Sequence, residues 1–379
     1  MSDGLTTGIQ ILDTLEAIDA AWLDRMFAKA GVAAPPVAVV SFEPVGNGTT
    51  SQVARLAVTF QGDPGDAPRT LIAKFPKAAA NGVAPDPEIF GYEREVAAYR
   101  FFGPSPPFRI PRAYLAQSRP DGAFNLVLED LDDGCRPGDQ ITGCSVTEAE
   151  AVVRELAALH AFAWKQPVLA DLTWPRRRAP LAARSALMFA RGATVMRERH
   201  AKALGKAAMA VIEAAAPLVG PWSAVAADLS LIHTDPRVDN VIFETTPDGT
   251  RACLIDLQSV AVGDPAYDLA YFLSGSLDPA DRAACERRLV GAHAAALMAA
   301  GADWDAETAW ESYRQNSLGG LVATVSAAGL LRDQPRVDRL IETLASRNCA
   351  AVLTLGGLAA AQRRIGATVT GDAHRPRSG

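Results

Sequence analysis

Cysteine is scarce in this chain, and the spacing of the cysteines does not indicate a disulfide framework or a metal site. The five cysteines are scattered through 379 residues, odd in number and without CxxC spacing. This pattern predicts free thiols in a reducing cytoplasm. Basic residues are in the minority, because 37 lysines and arginines stand against 43 aspartates and glutamates for a net charge of −6. Such a chain favours neither nucleic acid nor an anionic membrane as a partner.

Signals for export and membrane insertion are also missing. The first ten residues, MSDGLTTGIQ, lack a basic stretch followed by an apolar run, so no signal peptide is predicted. The longest uncharged apolar run near the C-terminus starts at Cys349 and is shorter than the ~20 residues of a membrane span. No repeat or low-complexity tract is visible. We expect a soluble cytoplasmic protein, long enough for two lobes, whose oligomeric state the sequence leaves open.

The main chemical signal lies in residues 228–268. Two short apolar stretches, VIFE and RACLI, are predicted to pair as an antiparallel hairpin about a turn at residues 246–249. This pairing places Asn240 and Asp256 opposite each other at the open end of the hairpin. Asp235 is five residues upstream of Asn240, in the loop that leads to the same end. Three side chains with oxygen atoms are therefore expected to converge.

These side chains suit phosphate chemistry. Oxygens of Asn240 and Asp256 are ligands for Mg²⁺, which takes its remaining ligands from water and phosphates. Asp235 is then a carboxylate that can orient a hydroxyl as a base. The pattern H-x-D-x-x-x-x-N, starting at His233 and followed by a strand that ends in Asp, is typical of kinase catalytic and metal-binding loops. The alternative is an ordinary polar loop at a hairpin end.

The preceding part of the chain contains a candidate phosphate-binding loop. Gly46, Gly48, Ser51 and Val53 match G-x-G-x-x-G-x-V except for serine at the third glycine. Glycines let backbone N–H groups approach phosphates closely. A simple hairpin with two glycines is the alternative. The strand RTLIAKFP follows a predicted turn at residues 63–66, and folding back about this turn brings Lys74 beside the loop.

The next helical stretch offers a carboxylate for this lysine. Glu95 is the candidate partner of Lys74, and Glu93 is the rival. A later strand ends at Glu129, and the polar loop after Leu131 predicts a hinge from which backbone groups could bind adenine. A capping box at residues 145–148 then starts a mainly helical region, in which His160 lies on the apolar face and is interpreted as a packing residue.

The predicted organisation has four parts. An N-lobe covers residues 1–130, with an N-terminal helix up to residue 34, the glycine loop, a sheet that carries the lysine strand, and one helix. A hinge and loop follow over residues 131–144. A helical C-lobe that contains the catalytic hairpin covers residues 145–367, and a flexible tail covers residues 368–379.

The order of these motifs resembles the aminoglycoside phosphotransferase and choline kinase superfamily, the small-molecule relatives of protein kinases. The stretches LVLEDL, ELAALHAFAW, LIHTDPRVDNVIF and LIDLQSVAVGDPAYDLAYFL are most similar to its ecdysteroid-kinase-like branch. The similarity extends from about residue 36 to residue 300. It implies an α+β, two-lobed, protein-kinase-like fold with a small antiparallel-sheet N-lobe and a larger, mainly helical C-lobe.

The resemblance also implies roles for individual residues. The catalytic base falls on Asp235, the metal ligands fall on Asn240 and Asp256, and the phosphate lysine falls on Lys74. His233 would shape the catalytic loop. Asp268, which lies outside the catalytic loop in the sequence, would brace that loop.

The chain departs from the family pattern beside the base. Thr234 stands where glycine is usual, and Pro236 follows the base. Threonine adds a Cβ where an unusual backbone conformation can be needed, and proline pushes the residue before it towards extended conformations.

These observations predict an ATP-dependent kinase that uses Mg²⁺ and acts on a hydroxyl of a small molecule. Two alternatives stay open at this point. One is a nucleotide-binding module without catalytic activity, and the other is a metal-dependent hydrolase built on His233, Asp235 and Asp256. The sequence specifies neither the acceptor nor a preference for ATP over GTP.

Overall fold

The computed structural model describes residues 8–45, 51–76, 91–131, 134–331 and 334–372. The chain forms two compact units. Residues Met1–Cys135 and Ile255–Val260 make up the first unit, and Arg136–Leu254 and Ala261–Gly379 make up the second. The predicted boundaries differ from this division, because they assigned residues 255–260 to the helical lobe.

The first unit is built on an antiparallel sheet with the strand order β1-β2-β3-β5-β4. Its strands are β1 (Val37–Pro44), β2 (Ser51–Phe60), β3 (Thr70–Pro76), β4 (Ala113–Ser118) and β5 (Phe124–Glu129). The turn between β2 and β3 forms where it was predicted, with Gly65 in a left-handed conformation at φ 54°. The register then pairs Lys74 with Val53 near the start of β2.

The N-terminal segment corrects a prediction. Ile9, Leu12, Leu15 and Ile18 are all buried, but the described part of residues 1–34 holds only a 3₁₀ turn, Leu15–Ala17, and the helix α1, Ala20–Lys29. The reason is a competing partner for the backbone. Leu12 N donates to Asn125 Oδ1, and Asn125 Nδ2 donates to Leu12 O, both at 2.8 Å. A buried side chain thus satisfies groups that a helix would pair internally.

Helix α2, Tyr92–Phe102, completes the first unit. It starts after Gly91, whose φ of 63° favours glycine. The 3₁₀ turn Leu257–Ser259 lies against this helix start. Arg94 Nη1 donates to Gln258 O at 2.8 Å, and a Cβ on Gly91 would lie only 2.5 Å from the same oxygen. Residues from the middle of the chain are therefore integral to the first unit.

The second unit is mainly helical. Its helices are α3 (Val146–Phe162), α4 (Ala182–Val195), α5 (Ala201–Ala224), α6 (Pro265–Ser276), α7 (Pro279–Ala299), α8 (Ala306–Asn316), α9 (Leu318–Ala328), α10 (Pro335–Thr354) and α11 (Gly357–Asp372). The predicted capping box of Ser145 with Glu148 starts α3, and Asp278 caps α7 with Pro279 at its first position. Helix α11 runs to Asp372, whereas the flexible tail was predicted to start at residue 368.

Two small sheets accompany these helices. The first has the order β10-β9-β6 and the second has the order β7-β11-β8. Their strands are β6 (Cys135–Pro137), β7 (Arg176–Arg177), β8 (Ser230–Ile232), β9 (Val241–Thr246), β10 (Gly249–Leu254) and β11 (Ala261–Gly263). Single helical turns at Pro167–Ala170, Ala179–Leu181 and Val238–Asn240 and a π turn at Met196–His200 connect other elements.

One long helical stretch, Ala179–Ala224, has the length and apolar composition of a membrane-crossing helix, a property that core helices share. Helices α10 and α11 meet this criterion only as a pair, and they are bent by 69°. Gly205 interrupts the long stretch with φ 76°. Phe189, Ile212 and Val219 of this stretch belong to the hydrophobic core of the second unit.

Candidate active site

The predicted hairpin is confirmed. Strands β9 and β10 pair antiparallel, from Val241 opposite Leu254 to Thr246 opposite Gly249 at the turn. Asn240 directly precedes the first strand, and Asp256 follows the second strand by two residues. The two apolar stretches and the turn residues between them therefore predicted the pairing of these strands correctly.

Asp235 is held by hydrogen-bond donors from two elements. The hydroxyl of Tyr271, on α6, donates to Asp235 Oδ1 at 2.8 Å. Asn240 Nδ2 donates to the backbone oxygen of Asp235 at 2.9 Å and to Oδ2 at 3.1 Å. Burial and the neighbouring Asp235 carboxylate raise the pKa of Tyr271 well above its usual range, so the phenol stays protonated as a donor. The carboxylate is 26% exposed and can still meet a hydroxyl.

The orientation of the Asn240 side chain leaves its amide oxygen, Oδ1, available to a ligand. Its Nδ2 is engaged by Asp235, and its Oδ1 accepts no hydrogen bond from a described residue. An amide oxygen of this kind, on a residue only 6% exposed, is a suitable ligand for a hard cation. The described residues contain no group of three or more His, Cys, Asp or Glu side chains that could hold a metal ion by themselves.

Asp268 fixes the backbone before Asp235. His233 N donates to Asp268 Oδ2 at 2.6 Å, and Thr234 N donates to Oδ1 at 2.9 Å. Thr234 has φ 68°, a conformation that is strained for a β-branched residue. The two hydrogen bonds to a fully buried carboxylate hold the strained backbone in place. Threonine therefore adopts a left-handed conformation that glycine would adopt without strain.

The buried histidines extend this network. His160 Nε2 lies 3.1 Å from Asp268 Oδ2, and His160 Nδ1 lies 2.9 Å from His293 Nε2. Which ring nitrogen donates in each of these contacts depends on the tautomers of the two histidines. His293 Nδ1 has no hydrogen-bond partner among the described residues. The sequence predicted a packing role for His160, and its fully buried ring also contacts the aspartate that holds the loop before Asp235.

In the first unit, Lys74 pairs with Glu95 and not with the rival Glu93. The distance from Lys74 Nζ to Glu95 Oε1 is 2.7 Å, whereas the side chain of Glu93 is exposed. Burial alone would lower the pKa of Lys74, but the carboxylates of Glu95 and Asp256 outweigh it and raise that pKa. The lysine is thus a fixed, fully charged cation.

Asp256 also belongs to the first unit. Its backbone has φ 64°, which Asp and Asn tolerate better than other residues with a side chain. Gln258 Nε2 donates to Asp256 Oδ2 at 3.1 Å. The carboxylate is partly exposed, and its charge acts on Lys74.

The other predicted nucleotide-binding residues lie in and around the sheet. Gly46 and Gly48 are outside the described residues, and Ser51 is the first residue of β2, opposite Pro76. The carboxylate of Glu129 accepts from Arg109 at 2.7 and 2.9 Å, and its backbone N donates to Arg112 O. Leu131 follows β5, and no hydrogen bond engages its backbone among the described residues.

Tyr271 is a site residue that the sequence reasoning missed. Its signal was its spacing from Asp268, because residues three apart on a helix lie on the same face. Once Asp268 was assigned to the catalytic loop, this spacing would have placed Tyr271 beside the same loop.

The chain is similar to several solved structures. A choline kinase from Cryptosporidium parvum Iowa II has a TM-score of 0.52 at 11% identity, over 84% of this chain and 91% of its own. An ethanolamine kinase from Plasmodium vivax has a TM-score of 0.47 at 11% identity, over 81% and 82%. The ADP-bound aminoglycoside phosphotransferase APH(2'')-Ib has a TM-score of 0.44 at 15% identity, over 88% and 99%. The match to the choline kinase shows the predicted α+β, kinase-like fold.

Sequence comparison identifies the family. No curated protein sequence matches the chain. The profile of the phosphotransferase enzyme family matches residues 64–314, which is more than half of the chain. This range contains the lysine strand, the hairpin and the loop around Asp235. The chain belongs to the phosphotransferase enzyme family.

Proposed function

We propose that the protein is a kinase that transfers the γ-phosphate of ATP to a hydroxyl group of a small molecule. The observation that supports this most directly is the half-buried carboxylate of Asp235, held by Tyr271 and Asn240 on a braced loop. Its narrower assignment to the ecdysteroid-kinase-like branch, and its location in the cytoplasm, are further predictions from the sequence.

In the proposed reaction, Asp235 orients the acceptor hydroxyl and accepts its proton. A bond forms between the acceptor oxygen and the γ-phosphorus, and the bond from that phosphorus to the β–γ bridging oxygen breaks. Most of the acceleration comes from positioning and from neutralising charge, because phosphoryl transfer requires little covalent chemistry from the protein. A fixed base is therefore the group that matters most on the acceptor side.

On the nucleotide side, the proposal assigns each role by chemistry. Lys74, held by Glu95, binds phosphate oxygens, and Gly46, Gly48 and Ser51 add backbone or hydroxyl donors. The backbone near Glu129 and Leu131 binds adenine. Asn240 and Asp256 would hold Mg²⁺, which neutralises phosphate charge when bound. Amide and carboxylate oxygens fit this ion, and the unengaged Oδ1 of Asn240 supports the assignment.

A thermal-shift titration tests nucleotide binding. ATP is added with and without Mg²⁺ to the wild type, to Asp256→Asn and to Asp66→Asn, an exposed control in the β2–β3 turn. Asparagine keeps the volume and tolerates φ 64° at position 256, so the variant tests the charge. ATP at 100 times its dissociation constant should stabilise the protein by about 2.7 kcal/mol. We expect Asp256→Asn to lose the Mg²⁺-dependent part and Asp66→Asn to keep it.

Catalysis is tested separately with Asp235→Asn. The kinase proposal expects this variant to bind Mg·ATP normally and to lose phosphoryl transfer. Binding without turnover in the wild type would indicate a nucleotide-binding module. Hydrolytic activity in the absence of nucleotide, with no stabilisation by ATP, would instead support the metal-dependent hydrolase.

A further inference from the structure

A cavity of about 110 Å³ lies in the second unit, among residues from four of its helices and the turn before α4. Arg178, Trp222 and Tyr267 line it, together with the ion pair of Asp264 and Arg364. One water occupies at least ~10–15 Å³ of such a volume. The cavity thus has room for a few waters or for a group the size of a carboxylate or phosphate, and it is too small for a whole drug-sized ligand.

Arg178 is the unusual charge in this cavity. Its guanidinium carbon lies 3.8 Å from the ring centre of Tyr267 and 4.8 Å from that of Trp222. Its guanidinium group forms no ion pair or hydrogen bond with a described residue. Burial lowers the pKa of Arg178, but a guanidinium stays charged in proteins. The two rings therefore hold a partly desolvated cation in a fixed orientation.

The carboxylates that line the cavity are already engaged. Arg177 Nη1 pairs with Asp228 at 2.8 Å. Arg364 pairs with Asp264 at 2.8 Å, and Ser312 also donates to Asp264. Burial alone would raise the pKa of Asp264, but Arg364 and the neighbouring donors lower it, so this carboxylate is ionised.

The lining thus contains three arginines and two aspartates. The charges of Asp264 and, from outside the lining, Asp268 act on Arg178, but neither carboxylate forms a hydrogen bond with its guanidinium. A cation removed from water is stabilised by an anion nearby.

A chain of contacts connects this cavity to the proposed base. The rings of Tyr267 and Tyr271 have centroids 6.0 Å apart, and Tyr271 donates to Asp235. Arg178 is therefore separated from Asp235 by two tyrosine side chains of one helix. A small molecule could place one end in the cavity and its hydroxyl at the base.

We propose that the acceptor carries an anionic group, a carboxylate or a phosphate, which binds Arg178 in this cavity. The proposal rests on the proposed function for the role of the hydroxyl. Binding of the anion is a separate property, which can be measured without nucleotide.

The first test measures anion binding by thermal unfolding of the full chain without nucleotide. Sodium acetate or sodium phosphate replaces sodium chloride at constant ionic strength. The variants are Arg178→Gln and, as a matched control, Arg287→Gln, because Arg287 also lies over a tryptophan ring, at 4.7 Å from Trp310, but outside the cavity. The control reports the general stabilisation that these salts give to any protein.

We expect wild type and Arg287→Gln to bind acetate or phosphate at least about tenfold more tightly than Arg178→Gln, since a charge-assisted pair is lost. Equal responses in all three proteins would overturn the proposal. A phosphate response that disappears in Lys74→Met and persists in Arg178→Gln would also overturn it for phosphate.

A second measurement covers the case in which Arg178→Gln does not fold. Tryptophan fluorescence of the wild type is followed during the acetate titration and compared with Trp222→Phe. A saturable change that the variant loses supports binding beside Trp222. A change that does not saturate, or that persists in the variant, contradicts it.

The second test distinguishes a carboxylate acceptor from a phosphate acceptor, and it also distinguishes failure of the anion site from failure of the kinase function. ADP formation with Mg·ATP is measured for glycerate, glycerol 3-phosphate, glycerol and choline. We expect one of the two anions to exceed glycerol at least tenfold in kcat/KM, and Arg178→Gln to remove this advantage. Turnover of glycerol or choline that equals turnover of the anions and is unaffected by Arg178→Gln would overturn the anion site and leave the kinase. Anion binding at Arg178 with no phosphoryl transfer to any of these compounds would support the anion site and contradict the kinase function.

Discussion

Tyr271 donates a hydrogen bond to Asp235 Oδ1, with 2.8 Å between the two oxygen atoms. The phenol and the carboxylate lie on different elements, the helix α6 and the loop that leads to strand β9. Because the phenol is a neutral donor, it fixes the carboxylate without cancelling its charge. A carboxylate held in this way can still accept a proton from a hydroxyl, as the proposed reaction requires.

Replacing Tyr271 with phenylalanine tests this positioning. We expect kcat to fall about tenfold or more, as for the loss of a hydrogen bond to a charged group. KM for ATP should stay unchanged, because Tyr271 has no role in the proposed nucleotide contacts. Tyr114→Phe, in the sheet of the first unit, is the control. An unchanged kcat in Tyr271→Phe would show that the carboxylate does not depend on this donor.

Thr234→Gly should stabilise the protein by about 0.5 to 1 kcal/mol. Glycine relieves a left-handed strain of about 1 to 2 kcal/mol, and part of this gain is offset by the greater freedom of glycine in the unfolded chain. Chemical denaturation measures the difference. Thr194→Gly, inside helix α4, is the contrasting variant and should destabilise the protein. A loss of stability in both variants would mean that threonine is not strained at position 234.

Stability should fall with pH below 6.5 because of His293. Burial and the adjacent His160 lower the pKa of His293 well below 6.5 in the folded state. Between the folded and unfolded pKa values the unfolded chain binds more protons, so the contribution is complete above pH 6.5 and is lost as the pH falls. The slope from this residue can reach about 1.4 kcal/mol per pH unit.

The variant His293→Gln measures this effect. Glutamine can still donate to His160, but it does not titrate. Unfolding free energies between pH 7 and pH 5 should be less steep in the variant than in the wild type. His200→Gln is the control, since its ring instead contacts Glu342 at 3.0 Å. Parallel pH profiles for wild type and His293→Gln would refute the assignment.

Glu95→Gln should weaken both the fold and nucleotide binding. The change leaves Lys74 without its charged partner at a site where Glu95 is 4% exposed, and we expect a loss of about 1 to 3 kcal/mol. The stabilisation by Mg·ATP should also decrease. Glu93→Gln removes an exposed carboxylate two residues away and should change stability by less than about 0.5 kcal/mol. Similar effects from both variants would argue against a specific role for the pair.

Sequence patterns predicted the parts of the fold that are determined by residues close to one another in the chain. Apolar stretches and turn residues predicted the hairpin β9–β10 and the strand that carries Lys74. The helix expected over residues 1–34 was wrong where the backbone of Leu12 bonds to Asn125, a residue more than a hundred positions away. The apolar pattern of the N-terminal segment carries no information about a partner so far away in the chain.

The same limit applies to the sites. The contact of His160 with Asp268 and the placement of Arg178 between Trp222 and Tyr267 are all tertiary. The run of arginines at 176–178 looks like an ordinary solvated stretch in the sequence. Only the fold shows that two of them have different environments, with Arg177 paired to Asp228 and Arg178 held between aromatic rings.

The first unit is formed by two segments that are far apart in the chain, and this affects its folding during synthesis. Its segment Ile255–Val260 is separated from the rest of the unit by the 119 residues Arg136–Leu254. At a translation rate of 5–20 residues per second, the ribosome needs about 6 to 24 s to add them. During that interval the start of helix α2 lacks the carbonyl of Gln258 that Arg94 binds. The first unit is therefore complete only after half of the second unit has been synthesised.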